Sequence, residues 1–125
     1  MIENGENHMS KITILHNPRC SKSREALAIA EENGSEIEIV KYLDDTPSKE
    51  ELKSIYKMLG LSSVREWMRI KEDIYKELEL SKEDDEEKLF DAMVKYPKLI
   101  ERPVIIKGKK AIIGRPTSII EDFIK

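Results

Sequence analysis

Cys20 is the only cysteine in the 125-residue chain, and its position predicts chemical reactivity. It follows a strand-like run at 12–15 and precedes a helix-like run that begins at Ser21. A thiol at a helix start faces unpaired backbone N–H groups and the positive end of the helix dipole, and both favour the nucleophilic thiolate. The same N–H groups are suited to an oxyanion. The pattern therefore predicts a nucleophile and an anion site in one loop.

Ser23 stands three residues after Cys20, where a disulfide oxidoreductase of the Cys-x-x-Cys type carries its second thiol. The chain therefore lacks an internal resolving thiol, and an oxidised or adduct form of Cys20 must be resolved by an external thiol. A free cysteine is also often a plain buried side chain, so a purely structural role stays open. The polar turn between Arg19 and Ser21 favours the reactive role.

Three neighbours of the cysteine are candidates for tuning the thiol: His16, Ser23 and Arg24. Arg24 follows Cys20 by four residues, which places both on one helix face. Ser23 is equally suited to capping the helix, as serines at helix starts often do. His16 and His8 do not form a metal-binding motif, and no pair of acidic residues has acid/base spacing.

Two Arg-Pro pairs, Arg102-Pro103 and Arg115-Pro116, flank a predicted hairpin near the end of the chain. The guanidinium of arginine offers a planar fork of N–H donors that matches an oxyanion. A single arginine is, however, more often a surface charge. A cis peptide bond is plausible at Arg102-Pro103, since such bonds are largely confined to proline. Arg65 and Arg69, on either side of Trp67, are further candidates.

Composition and charge restrict the class of protein. The net charge is −3, which argues against a general nucleic-acid or membrane-surface binder. No apolar stretch reaches transmembrane length, no signal peptide is recognisable, and one cysteine cannot form an internal disulfide, so we expect a cytoplasmic protein. Residues 1–8 resemble an expression leader ahead of a native start at Met9, and residues 9–125 are predicted to form a single domain.

The order of predicted elements is β-α-β, then a helical block at about 45–100, then β-β-α. This order favours an α/β protein with a thioredoxin-like fold, a mixed four-stranded sheet and a helical insertion between the halves. The first helix is predicted to end at Asn33-Gly34, and the second to begin with a capping box at Ser48 and Glu51 and to end at Gly60.

Two later helices are also predicted. A short helix carries Trp67, Met68 and Arg69. The last helix has Pro116 in its first turn and directs Ile119, Ile120 and Phe123 inward.

Four sequence blocks together resemble the glutaredoxin-coupled arsenate reductase (ArsC) family, with a match running from about Met9 to Lys125. In chain order the blocks are His16-Asn17-Pro18-Arg19-Cys20-Ser21-Lys22-Ser23-Arg24, Trp67-Met68-Arg69, Glu101-Arg102-Pro103-Val104 and Gly114-Arg115-Pro116-Thr117. One departure is Ser21-Lys22, where reductases of this type often carry Gly-Thr.

The resemblance implies that Cys20 is the nucleophile and that Arg69, Arg102 and Arg115 bind the oxyanion. It also implies a cis bond at Arg102-Pro103 and a His16 that lowers the thiol pKa. Alignment of the block around Trp67 favours Arg69 over Arg65 as the third arginine. The implied reaction reduces arsenate to arsenite through a cysteine adduct resolved by glutathione, the co-substrate, and by the partner glutaredoxin. No bound cofactor is implied, and we expect a monomer.

Two alternatives within the same family resemblance stay open. Spx-type relatives are transcriptional regulators that bind RNA polymerase, although they typically carry a Cys-x-x-Cys switch that Ser23 removes here. Other relatives are glutathione-dependent thiol reductases without arsenate activity. The three arginines favour arsenate reduction over the second alternative without excluding it.

Overall fold

Residues 11–125 are described in a computed structural model of the chain. They divide into two compact units. Among the described residues, the sheet unit comprises 11–41 together with Arg102–Lys125, and the helical unit comprises Tyr42–Glu101. The leader predicted at 1–8 lies outside the described residues, and the single-domain prediction stays a prediction. No helix within 11–125 is long and apolar enough to cross a membrane.

The sheet unit contains a mixed four-stranded sheet in the order β2-β1-β3-β4. Strands β1 (Lys11–Leu15) and β2 (Glu36–Val40) are parallel, whereas β3 (Val104–Lys107) is antiparallel to β1 and to β4 (Lys110–Ile113). Helix α1 (Ser21–Glu32) connects β1 to β2, since a parallel pair requires a crossover connection. The predicted α/β thioredoxin-like arrangement is confirmed.

The core of the sheet unit consists of aliphatic side chains from alternating strand positions and from one face of each helix. Its fully or almost fully buried members are Ile12, Ile14, Ala26, Ala30, Ile105, Ile120 and Ile124. Helix α1 (Ser21–Glu32) ends at Asn33, and Gly34 follows with a φ of 77°, a left-handed conformation that glycine adopts without strain. The predicted end of this helix is therefore confirmed.

The last helix differs from its prediction. Pro116 is extended, a 3-10 helix follows at Thr117–Ile119, and α5 spans Ile120–Ile124. Because the 3-10 turn has a different angular spacing from an α-helix, Ile119 is turned outward and is 40% exposed. The predictions of Pro116 in the first helical turn and of Ile119 inward were wrong, whereas Ile120 is buried as expected.

Gly114 allows a close approach between β4 and α5. A Cβ atom on this residue would lie 2.9 Å from Ile120 Cδ1 and 3.1 Å from Pro103 Cγ. The Gly114 amide also donates to the Pro103 carbonyl at 2.8 Å. A side chain at this position would therefore push apart the two segments that carry the Arg-Pro pairs.

The helical unit contains α2 (Lys49–Leu59), α3 (Asp73–Glu77) and α4 (Glu86–Lys95), with 3-10 helices at Val64–Trp67, Leu80–Lys82 and Pro97–Leu99. The predicted capping box of α2 is present. The Ser48 hydroxyl accepts from the Glu51 amide at 3.1 Å, and the Glu51 carboxylate accepts from the Ser48 amide at 2.8 Å. Gly60 ends α2 with a φ of 69°.

The segment around Trp67 is shorter as a helix than predicted. The 3-10 helix ends at Trp67, and Met68 is extended and pairs with Ile100 in an isolated antiparallel bridge. The Arg69 amide donates to the Leu99 carbonyl at 2.7 Å. These non-local bonds satisfy the backbone in place of a further helical turn, so Arg69 lies on an extended segment rather than on a helix.

Candidate active site

Cys20 is the N-cap residue of α1, as the sequence predicted. The turn before it is closed by Asn17, whose carbonyl accepts from the Cys20 amide at 2.9 Å and whose Oδ1 accepts from the Arg19 amide at 3.0 Å. The Arg24 amide then donates to the Cys20 carbonyl at 3.0 Å and begins the helix. Sequence reasoning missed the role of Asn17, although asparagine commonly bonds the backbone two residues on.

The surroundings of the Cys20 sulfur favour the thiolate. Burial, at 9% exposure, raises the thiol pKa and is the largest single influence. The amides of Ser23 and Lys22, the Ser23 hydroxyl and the charge of Arg115 act in the opposite direction and together hold the pKa below its ordinary value. The two amides act as nearby dipoles, since neither makes a cap hydrogen bond of standard geometry with the sulfur.

Ser23 is fully buried and connects the loop to the thiol. Its hydroxyl accepts from the Asn17 amide at 3.3 Å and is one of the groups that lower the pKa of the Cys20 thiol. A cysteine at this position would lose the oxygen acceptor that fixes Asn17. The serine of the Cys-x-x-Ser sequence thus orients the turn and lowers the pKa of the thiol.

Arg115 reaches the thiol from the other end of the chain. Its Nη2 lies 3.6 Å from Cys20 Sγ, and its Nε donates to the Arg102 carbonyl at 2.8 Å. The guanidinium is therefore held between the backbone of one Arg-Pro pair and the cysteine. The Arg102-Pro103 bond is cis, as expected, and the Arg115-Pro116 bond is cis as well, which was not predicted.

The other two tuning candidates have different surroundings. Arg24 Nη1 donates to the Pro18 carbonyl at 2.9 Å and so stabilises the loop before Cys20.

His16 is 5% exposed, and its Nδ1 is buried without a hydrogen-bond partner. Burial, followed by the charge of Lys41, lowers the pKa of His16 below its usual 6.5, so the ring is neutral near pH 7. A neutral ring adds no positive charge beside the thiolate, and the tuning roles of both residues stay predictions.

Arg69 belongs to the helical unit and contacts two carboxylates there. Its Nε donates to Glu72 Oε2 at 3.1 Å, and its Nη1 donates to Glu101 Oε1 at 2.8 Å. Burial opposes the charge, but these two acids outweigh it and raise the pKa of Arg69 further. Its oxyanion-binding role stays a prediction, as do those of Arg102 and Arg115.

Arg65 is engaged in the internal structure of the helical unit. Its Nη1 donates to the Tyr75 hydroxyl at 2.6 Å and to the Leu80 carbonyl at 2.7 Å, and its Nη2 donates to the Glu83 carbonyl. These bonds connect the Trp67 segment to α3 and to the turn before α4. The surroundings of Arg65 thus support the choice of Arg69 as the candidate ligand.

The sheet and the helix-start thiol define a thioredoxin-like protein with a single cysteine, whose pKa is lowered. A family model described as the ArsC family matches residues 15–123, and the chain belongs to that family. An arsenate reductase of Neisseria meningitidis serogroup A is 50% identical over 114 residues, covering 90% of this chain and 97% of that one. The uncharacterized protein YfgD of Escherichia coli K12 is 51% identical over 107 residues, with coverages of 85% and 90%.

The fold of the chain also matches solved structures of this family. The structure of an arsenate reductase from Vibrio cholerae aligns with a TM-score of 0.87 and 47% identity, covering 90% of this chain and 96% of that one. The similarity therefore extends over nearly the whole of both proteins. The family match over 15–123 includes Cys20, Arg69, Arg102 and Arg115.

Proposed function

We propose that the protein is an arsenate reductase that converts arsenate to arsenite at Cys20, with glutathione as co-substrate and glutaredoxin as partner. The observation that carries the proposal is the 3.6 Å approach of Arg115 Nη2 to Cys20 Sγ at the start of α1. It combines a thiol of lowered pKa with a donor suited to oxyanions. The names of the full-length relatives support the same substrate. We further propose a cytoplasmic monomer with no bound cofactor.

The first step is attack by the Cys20 thiolate on arsenic. The helix-start amides, Arg102 and Arg115 bind the oxyanion, and Arg69 is the third arginine by family resemblance. A sulfur–arsenic bond forms, and one arsenate oxygen takes up protons and leaves as water. Donors already in place stabilise the negative charge on the remaining oxygens, which is the largest contribution expected from such a site.

The second step requires an external thiol, because the chain has one cysteine. The glutathione thiolate bonds to the Cys20 sulfur, and the electron pair of the sulfur–arsenic bond moves to arsenic. Arsenic is reduced from As(V) to As(III) and leaves as arsenite, while the two sulfurs are oxidised to a mixed disulfide. Glutaredoxin then restores the Cys20 thiol by thiol–disulfide exchange.

The test is arsenate-dependent NADPH oxidation in the presence of glutathione, glutaredoxin and glutathione reductase. The wild-type protein is expected to turn over, and Cys20→Ser is expected to be inactive while unfolding at the same temperature. Ser21→Ala, an exposed change in the same turn, serves as the matched control and is expected to stay active.

Two results would overturn the proposal. One is undiminished turnover by Cys20→Ser. The other is a folded wild-type protein whose Cys20 takes up glutathione, seen as a mass increase, without any arsenate turnover. The second result would favour a glutathione-dependent thiol reductase.

A further inference from the structure

Two carboxylates contact the guanidinium of Arg69. They belong to Glu72, at 3.1 Å, and to Glu101, at 2.8 Å. Their side chains are about equally exposed, at 25% for Arg69, 27% for Glu72 and 26% for Glu101. This partial burial reduces screening by solvent, so the two acids offset the arginine charge more strongly than a surface pair would.

The two contacts use different nitrogens of the guanidinium. Glu72 accepts from Nε, and Glu101 accepts from Nη1. An oxyanion that binds an arginine through two donors uses adjacent nitrogens, either Nε with Nη2 or Nη1 with Nη2. Whichever pair it uses, one of the two nitrogens already donates to a carboxylate, so the oxyanion competes with that carboxylate for the guanidinium.

Backbone bonds hold both acids beside Arg69. The Arg69 amide donates to the Leu99 carbonyl at 2.7 Å, and the Glu101 amide donates to the Trp67 carbonyl at 2.9 Å, which pairs their segments. The Glu72 amide donates to the Arg69 carbonyl at 3.2 Å. Since the backbone fixes these positions, the acids remain close to the guanidinium.

We propose that Glu72 and Glu101 set the oxyanion affinity of the protein by competing with arsenate for Arg69. The inference rests on the proposed function, in which Arg69 is an oxyanion ligand. Replacing either acid by glutamine keeps its size and its acceptor oxygen but removes its charge. Each change should therefore release the guanidinium to the oxyanion and strengthen binding.

The experiment measures the dissociation constant of arsenate by calorimetry in a Cys20→Ser background, where no adduct forms. Glu72→Gln and Glu101→Gln are each expected to lower the constant by about three- to fivefold, the range of a partly exposed ion pair. Glu77→Gln, an exposed change on α3 with the same change in net charge, is the matched control and should have no effect. Adding Arg69→Gln should abolish the gain from either glutamine variant.

Unchanged or weaker binding in both variants would overturn the inference, as would no measurable binding in any protein. It would also be overturned if Glu77→Gln tightened binding equally or if the gain persisted without Arg69. In turnover assays, the glutamine variants relieve this competition and should lower KM for arsenate while leaving kcat unchanged, whereas loss of a positioning contact would lower kcat. Absence of wild-type turnover together with tighter binding in the variants would refute the proposed reaction and leave the competition supported.

Discussion

Arg115 of the sheet unit and Arg69 of the helical unit were predicted to perform the same task, yet their partners differ. Arg115 directs its charge at the Cys20 sulfur and is oriented by a backbone carbonyl. Arg69 is held by two carboxylates of its own unit. The contacts of an arginine, rather than its place beside a motif, therefore determine what its charge acts on. For Arg115 these contacts include a thiol sulfur, and for Arg69 they include two carboxylates.

The strongest test of the comparison is Arg115→Ala. We expect kcat/KM for arsenate to fall by about 10²- to 10³-fold, the usual cost of removing a preorganised oxyanion donor. The effect on the pKa of Cys20 should be small, because Arg115 is the weakest of the influences that lower it. The coupled NADPH assay measures the rate, and titration of the thiolate absorbance measures the pKa.

Arg19→Ala is the matched control for Arg115→Ala. Arg19 is an exposed arginine of the same loop, so its removal changes the charge near Cys20 by the same amount. We expect only a small loss of activity. Equal losses in the two variants would show that the loop needs net positive charge rather than the particular donor at 3.6 Å from the sulfur.

A second test compares Arg65 with Arg69 inside the helical unit. Arg65→Met removes the donors to the Tyr75 hydroxyl and to two backbone carbonyls, and we expect a loss of about 2–3 kcal/mol in the free energy of unfolding. Arg69→Met should cost less, about 1 kcal/mol, because its two carboxylate partners are about a quarter exposed and stay in contact with water when the arginine is removed.

Urea unfolding of both variants measures these free energies. A larger loss for Arg69→Met than for Arg65→Met would contradict the assignment of Arg65 to internal structure and of Arg69 to exchangeable ion pairs. Glu66→Gln, an exposed change between the two arginines, provides the baseline for a surface substitution in this segment.

The elements that could be predicted from the sequence are those with local causes. The end of α1 at Asn33-Gly34, the capping box of α2 and the cysteine at the helix start all depend on residues within a few positions of one another. The cis bond expected at Arg102-Pro103 also depends on a local feature, because cis peptide bonds are largely confined to those that precede a proline. Local physics was therefore sufficient for these helix ends and for the position of Cys20.

The features that could not be predicted depend on residues far apart in the chain. The helix containing Trp67 ends early because Met68 pairs with Ile100, more than thirty residues later. Likewise, Glu101 meets Arg69 through that pairing, and no local spacing indicates it. The family resemblance identified the three arginines but not the acids that accompany one of them.

The smallest expected effect concerns Ser23, which links the loop to the thiol. Ser23→Ala removes a hydroxyl that contributes to the lowered pKa of Cys20, so the pKa should rise toward the ordinary thiol value. Because the thiolate is the reactive form, alkylation at pH 7 should slow by about two- to fivefold. The whole rate profile should move to higher pH, and the rate should fall as pH decreases through the folded-state pKa.

The sign of the stability effect follows from the same lowered pKa. A thiol that loses its proton more readily in the folded state stabilises that state above the unfolded pKa, and this contribution is lost as pH falls through the folded pKa. Ser23→Ala should therefore lose more stability at alkaline than at neutral pH. Ser21→Ala, exposed in the same turn, should leave the alkylation profile unchanged. Identical profiles for the two variants would mean that the helix-start amides and Arg115, rather than the Ser23 hydroxyl, determine the reactivity of Cys20.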